Sequence, residues 1–248
     1  MPRYKAVIAY DGTNYAGFQV QQNAHTVQAE IENTLRRFNK GKSITIHPSG
    51  RTDSGVHAKG QVIHFDYPDV RDSEKFRFAL DTQTPDDISF ISVEQVHEDF
   101  HARYLAKEKV YHYYVDLGQT RDPFKRLYSA HYRYELDLDR IRQAAKYIEG
   151  EHDFSVFCAT GSAVEDKTRH VYEVNLVELS DTELRFEFRG NGFLYKMVRM
   201  LVGTLLKIGN GQLPVDAIKI ALENQDKKMT GPTAHPEGLF LMKVDYES

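Results

Sequence analysis

A chain of 248 residues, 41% hydrophobic and 27% charged, can build one large domain or two of ordinary size and is too apolar for a disordered tail. Its 32 Lys and Arg against 36 Asp and Glu give a net charge of −4, which taken alone argues against nucleic acid as a partner. The single cysteine, Cys158, excludes an internal disulfide or a cysteine-rich zinc site, and no run approaches the roughly 20 apolar residues of a membrane span. The start, Met1-Pro2-Arg3-Tyr4-Lys5, lacks the apolar stretch of a secretory signal, so a cytoplasmic protein with no membrane partner is expected.

Alternation over Arg3 to Tyr10 predicts a strand with Tyr4, Ala6 and Ile8 on one face, ended by the turn residues Asp11-Gly12-Thr13-Asn14. Val27, Ile31, Leu35 and Phe38 recur at helical spacing, with Thr26 as N-cap and Asn39 and Gly41 as the stop. Short strands are expected over Ser43–His47 and Gln61–Tyr67, on either side of a polar loop from Pro48 to Gly60. A helix over Ser73–Leu80 and a strand over Ile88–Val96 complete a β-α-β-loop-β-α-β half.

The second half repeats that order. A strand is expected over Lys109–Leu117, a helix over Asp139–Glu149, and a hairpin of Val171–Leu179 with Glu183–Arg189 around Ser180-Asp181. Phe193–Ile208 is apolar nearly all round and predicts a buried helix; Val215–Leu222 is a shorter helix and Leu239–Asp245 a last strand. The expected fold is α+β: two related β-α-β-β-α-β, ferredoxin-like domains with mainly antiparallel sheets, divided as 1–103 and 104–248.

Charge by segment alters the picture given by the total. Residues 24–60 carry six basic residues against three acidic, whereas residues 61–103 carry four against ten. Residues 103–133 carry seven against three, and residues 185–210 five against one. The acidity is concentrated in one stretch, which leaves three basic segments able to meet a polyanion.

The most unusual segment is Pro48-Ser49-Gly50-Arg51-Thr52-Asp53-Ser54-Gly55-Val56-His57-Ala58-Lys59-Gly60, one carboxylate among glycines, hydroxyls and cations. Asp-Ser-Gly is also common turn chemistry, with the Asp side chain bonding backbone N–H groups. In a site, Gly50 and Gly55 would let a substrate approach the backbone, and Arg51 would stand beside an ionised Asp53 able to act as nucleophile or general base.

Gly50-Arg51-Thr52-Asp53-Ser54-Gly55-Val56-His57-Ala58 resembles the active-site loop of the TruA family of tRNA pseudouridine synthases. Tyr10-Asp11-Gly12-Thr13-Asn14-Tyr15-Ala16-Gly17-Phe18-Gln19-Val20-Gln21 resembles its N-terminal motif, and Arg189-Gly190-Asn191-Gly192-Phe193-Leu194-Tyr195-Lys196-Met197-Val198-Arg199 its late strand-to-helix motif. Gly231-Pro232-Thr233-Ala234 with Glu237-Gly238-Leu239 resembles its C-terminal motif, and the four occur in family order. The resemblance implies isomerisation of uridine to pseudouridine at positions 38, 39 and 40 of the tRNA anticodon arm, without metal or organic cofactor. It also implies two α/β domains meeting in a central cleft, and a homodimer.

Residue by residue, the resemblance implies that Asp53 is the catalytic aspartate, either attacking C1′ or acting otherwise on the sugar, and that Arg199 is the arginine set against it. It implies that Tyr111 stacks on the target uracil, and Arg51 is expected to hold RNA phosphate or a flipped-out neighbour. The Tyr10–Gln21 segment is expected to grip RNA. Lys196, Arg199, Gly203 and Lys207 are expected on one helical stripe. His57 is kept outside the catalytic set as a structural residue. There is no G-x-x-x-x-G-K-[ST], no G-x-G-x-x-G after a strand and no H-E-x-x-H. The competing expectations are a non-catalytic RNA-binding protein with a duplicated sheet, and a pseudouridine synthase for another RNA.

Overall fold

The computed structural model describes residues 1–247, and the chain divides into two compact units, Met1–Lys107 with the segment from Phe240 onward, and Glu108–Leu239. The first unit opens with β1 (Arg3–Tyr10), whose even-numbered residues, Tyr4, Ala6, Ile8 and Tyr10, are buried as the alternation requires. Helix α1 (Val27–Phe38) starts at Thr26, whose hydroxyl accepts the Ala29 N–H, and buries Val27, Ile31 and Leu35. Strand β2 is only His47–Pro48, not the expected Ser43–His47. Upstream of it, side chains of α1 take the backbone bonds a ladder would need: Glu32 accepts the Ile46 N–H at 3.1 Å and Gln28 donates to the Ile46 carbonyl at 3.4 Å.

Strand β3 (His57–Asp66) begins four residues before the predicted Gln61. Helix α2 (Ser73–Asp81), capped by Asp72, and β4 (Ile88–Val96) lie where the sequence put them. The sheet of this unit runs β4-β1-β3 with antiparallel neighbours, and β2 pairs antiparallel with the far end of β3.

In the second unit, β5 (Glu108–Asp116) is followed by β6 (Ala130–His131), a two-residue parallel pairing on β5. Helix α3 (Leu138–Ala145) is shorter than the expected Asp139–Glu149, and the chain turns into β7 (Gly150–Asp153) through Gly150 at φ +106°. Both β6 and β7 are too short to leave a periodic trace. β8 (Thr168–Ser180) and β9 (Glu183–Gly190) form the expected hairpin, and the order β5-β9-β8-β7 is antiparallel throughout.

Helix α4 (Met197–Gly209) is buried along most of its length but starts four residues after the expected Phe193, because Lys196 sits at φ +60° in the left-handed region. Lys196 is therefore its N-cap and not part of the helical stripe with Arg199 and Gly203. Helix α5 (Ala217–Asn224) follows. The last strand, β10 (Leu239–Asp245), corrects the expected 1–103 and 104–248 division. Element order gave it to the second half, but its Phe240 and Leu241 pair in parallel with His57 and Ala58 of β3. With Tyr10 of β1 paired to Ala58 on the other side, that partner extends β3 past the polar Lys59 and Gly60. The resulting fold is α+β with mostly antiparallel sheet.

Candidate active site

In the first unit the Asp53 loop is fastened on both flanks of the carboxylate. The Thr52 carbonyl accepts the Phe18 N–H at 3.1 Å, and the Tyr15 carbonyl accepts the Ser54 hydroxyl at 3.2 Å and the Gly55 N–H at 3.4 Å. Within the loop, Val56 N–H donates to the Asp53 carbonyl at 3.1 Å, closing a turn that Gly55 completes at φ +76°. Beneath it the buried Tyr10 and Thr52 hydroxyls meet at 2.8 Å, and burial pushes the Tyr10 phenol up to about 12. Gln61 accepts from the Ser49 hydroxyl at 2.6 Å and donates to the Gly50 carbonyl at 2.9 Å. Asp53 itself is half-buried and Arg51 exposed.

The segment from Tyr10 to Phe18 is thus the cradle of this loop. Gly17 lies at φ +94°, and a Cβ there would come within 2.9 Å of the Thr52 carbonyl oxygen, so the close approach needs glycine. His57, 1% exposed, has Nδ1 3.0 Å from the Gly12 N–H, and its ring stacks on Phe240 at 4.6 Å. It ties the start of the cradle to β3.

In the second unit Tyr111 is buried on β5, opposite Phe188 of β9, with Phe193 edge-on to its ring at 5.3 Å and 82°. Two residues on, as strand alternation requires, Tyr113 is fully buried and donates to the His235 carbonyl at 2.8 Å. Burial, with Glu237 nearby, holds its phenol well above the usual range.

Arg199 stands in the first turn of α4, half-buried. Its Nε donates to the Ala234 carbonyl at 2.7 Å, while its own carbonyl accepts the Ala234 N–H at 3.0 Å. One turn further, Gly203 lets the Gly231–Ala234 segment lie directly on the helix: a Cβ there would fall 1.7 Å from the Pro232 carbonyl oxygen. Thr204 receives the Gly231 N–H at 2.8 Å. The C-terminal motif is thereby a clamp on α4 that fixes the arginine.

Asp53 and Arg51 belong to the first unit, Tyr111 and Arg199 to the second. The supporting residues Tyr10, Tyr15, Thr52 and Ala234 carry no individual signal in the sequence. Their partners lie tens of positions away, and only the motif stretches that contain them hinted at a role. Among the described residues no helix is long and apolar enough to cross a membrane, and no group of three His, Cys, Asp or Glu is placed to hold a metal ion.

The family model described as tRNA pseudouridine synthase matches residues 6–105 and 144–247. The chain is 54% identical, over all 248 residues and the full length of each relative, to proteins named tRNA pseudouridine synthase A from Streptococcus pneumoniae (strain Hungary19A-6) and Streptococcus gordonii (strain Challis). Among solved structures it is similar to a chain in the crystal structure of a Cbf5-Nop10-Gar1 complex. That likeness is distant: 16% identity and a TM-score of 0.38 over 92% of this chain and 60% of that one.

Proposed function

The chain belongs to the tRNA pseudouridine synthase family, isomerases that convert uridine to pseudouridine in tRNA, and we propose that it acts at positions 38, 39 and 40 of the anticodon arm through Asp53. The reaction breaks the C1′–N1 bond, turns the uracil and joins C5 to C1′. The C5 proton leaves, N1 gains one, and the product is an isomer of the substrate. A carboxylate suits the first step because it is ionised at neutral pH and meets the positive charge that develops at C1′.

The observation that carries this reading is the pinning of Thr52, Ser54 and Gly55 by Tyr10, Tyr15 and Phe18, which holds the backbone on both sides of Asp53. A turn that served only to reverse the chain would not need a second motif built around it. Tyr111 is the stacking surface for the target uracil, worth about 1–3 kcal/mol per base. Its edge contact with Phe193 sets the ring's orientation. Arg199 is the cation that serves the reacting carboxylate, and its bond to Ala234 fixes the guanidinium. Arg51, exposed on the same loop as Asp53, holds phosphate or a displaced neighbour of the target.

At the level of architecture, each half is a ferredoxin-like unit. The strand order β4-β1-β3 with β2 on β3 supports this for the first half. The working form is a homodimer on tRNA in the cytoplasm, and the reaction uses neither metal nor organic cofactor. The test is to map pseudouridine in tRNA from cells lacking the gene. Unmodified uridines at 38–40 support the assignment, and an intact anticodon arm with another site lost assigns the enzyme to that RNA position instead.

A further inference from the structure

Outside the candidate site, the first unit carries a column of rings that ends in solvent. His47 and His64 stack at 4.9 Å, His64 and His101 meet at 4.6 Å, and His101 lies 4.2 Å from Tyr104 at 34°. Tyr104 is 76% exposed despite that contact, and the Arg103 guanidinium, also exposed, lies 5.9 Å from its ring centre.

The turn presenting these two residues is fixed from below. Ala102, fully buried, donates its N–H to His64 Nδ1 at 3.1 Å, and its carbonyl accepts the Tyr246 hydroxyl at 2.7 Å. His101 Nδ1 accepts the Arg103 N–H at 3.2 Å, and the His101 carbonyl accepts the Leu105 N–H at 3.1 Å. Burial and the neighbouring positive charges hold His101, the ring against Tyr104, below its ordinary range, which favours its neutral form. An aromatic face backed by a stack of rings, with a cation at its side, is complementary to a ligand that is at once flat, aromatic and anionic.

We propose that Tyr104 and Arg103 form a second RNA contact, in which an unpaired nucleobase of the substrate tRNA stacks on Tyr104 and its phosphate meets Arg103. The inference rests on the function proposed above and extends it to a site distinct from Asp53. Neither residue takes part in the isomerisation; both add affinity for RNA.

The test measures tRNA binding by the full-length protein and its Tyr104→Ala, Tyr104→Phe and Arg103→Gln variants, beside tritium release from 5-tritiated uridine in tRNA. Tyr104→Ala should weaken binding by about fivefold or more, and Tyr104→Phe, which keeps the ring, should restore it. Arg103→Gln should reduce the slope of log affinity against log salt by about one. Should removing the ring loosen the turn, Tyr104→Leu, which keeps bulk against His101 without an aromatic face, makes the same comparison. Unchanged affinity in Tyr104→Ala, with the wild-type protein active, overturns this inference alone. A change in self-association without a change in affinity per site overturns it too and makes the patch a protein contact. Wild-type protein that neither binds tRNA nor releases tritium removes the function on which it stands.

Discussion

The hydroxyl of Tyr10 is a small group with a large share in placing Asp53. It is buried against the hydroxyl of Thr52, the residue immediately before the carboxylate in the chain, at 2.8 Å. Tyr10→Phe removes that bond and leaves the Thr52 hydroxyl to find another partner, at a stability cost of about 1 kcal/mol. The expected result is a rate constant lowered several-fold in single-turnover tritium release, with the affinity for tRNA unchanged and a urea midpoint lowered in proportion to that loss of stability. A fall in stability with that rate constant untouched would make Tyr10 a core residue only. Tyr113 invites the same comparison on the other unit, since its buried hydroxyl holds the His235 carbonyl at 2.8 Å. These two phenols illustrate how polar groups in a strand's buried face position loops that periodicity cannot see.

Among the elements, helix α4 depends on a contact that reverses an ordinary preference. In a helix interior, Gly→Ala normally stabilises by roughly 1 kcal/mol. At Gly203 the added methyl would sit 1.7 Å from the Pro232 carbonyl oxygen, so the Gly231–Ala234 segment must move off the helix. Gly203→Ala should therefore destabilise by about 1–3 kcal/mol and disturb Arg199, whose Nε bond to Ala234 runs through the same segment. Thermal unfolding and kcat measured on the one variant check both effects; a stabilised protein would contradict the clamp.

How far elements were legible in sequence follows from where their bonds go. β1, α1, α2, β4 and the β8–β9 hairpin satisfy their own backbone in regular ladders or helical turns, and their burial patterns wrote them into the sequence. The start of β3 was not legible, because its partners are Tyr10 of β1, reached past a register shift, and β10, more than 180 positions away; neither was the start of α4, because Lys196 takes a left-handed conformation that periodicity does not register. At the site, Asp53 and Arg51 stand out in the composition of their loop, and motif resemblance alone points to Tyr111 and Arg199. The cradle that Tyr10, Tyr15 and Gly17 build for Asp53 was not legible, since the Tyr10–Gln21 segment read as a loop for RNA.

Across the molecule, charge and protonation set the working range. The total of −4 conceals Arg51, Lys40, Lys42 and Lys59, all exposed, beside an acidic stretch at residues 61–103. Several cations of the other basic segments are engaged by carboxylates of the chain, as Arg189 is by Glu108 and Glu173 and Lys125 by Glu183. The histidine column gives the fold a pH dependence. Burial, and then His101, His47 and Arg3, lower His64 to about 4 from an ordinary 6.5, so the folded chain keeps it neutral where the unfolded chain binds a proton. Its contribution is complete above pH 6.5 and is lost as pH falls toward 4, with a slope of at most about 1.4 kcal/mol per pH unit. Urea unfolding between pH 7.5 and 5 should show the decline, and His64→Gln should flatten it.

Asp53 is where these scales converge, and one measurement addresses it directly. Purified wild-type protein and Asp53→Ala are incubated with an unmodified tRNA transcript bearing uridine at 38, 39 and 40, and pseudouridine is mapped by position while tRNA binding is measured on the same samples. The predicted result is pseudouridine at those positions with wild type and none with Asp53→Ala, which still binds. Pseudouridine formed by Asp53→Ala, or an anticodon arm left unmodified by a wild-type protein that binds it, would contradict the account.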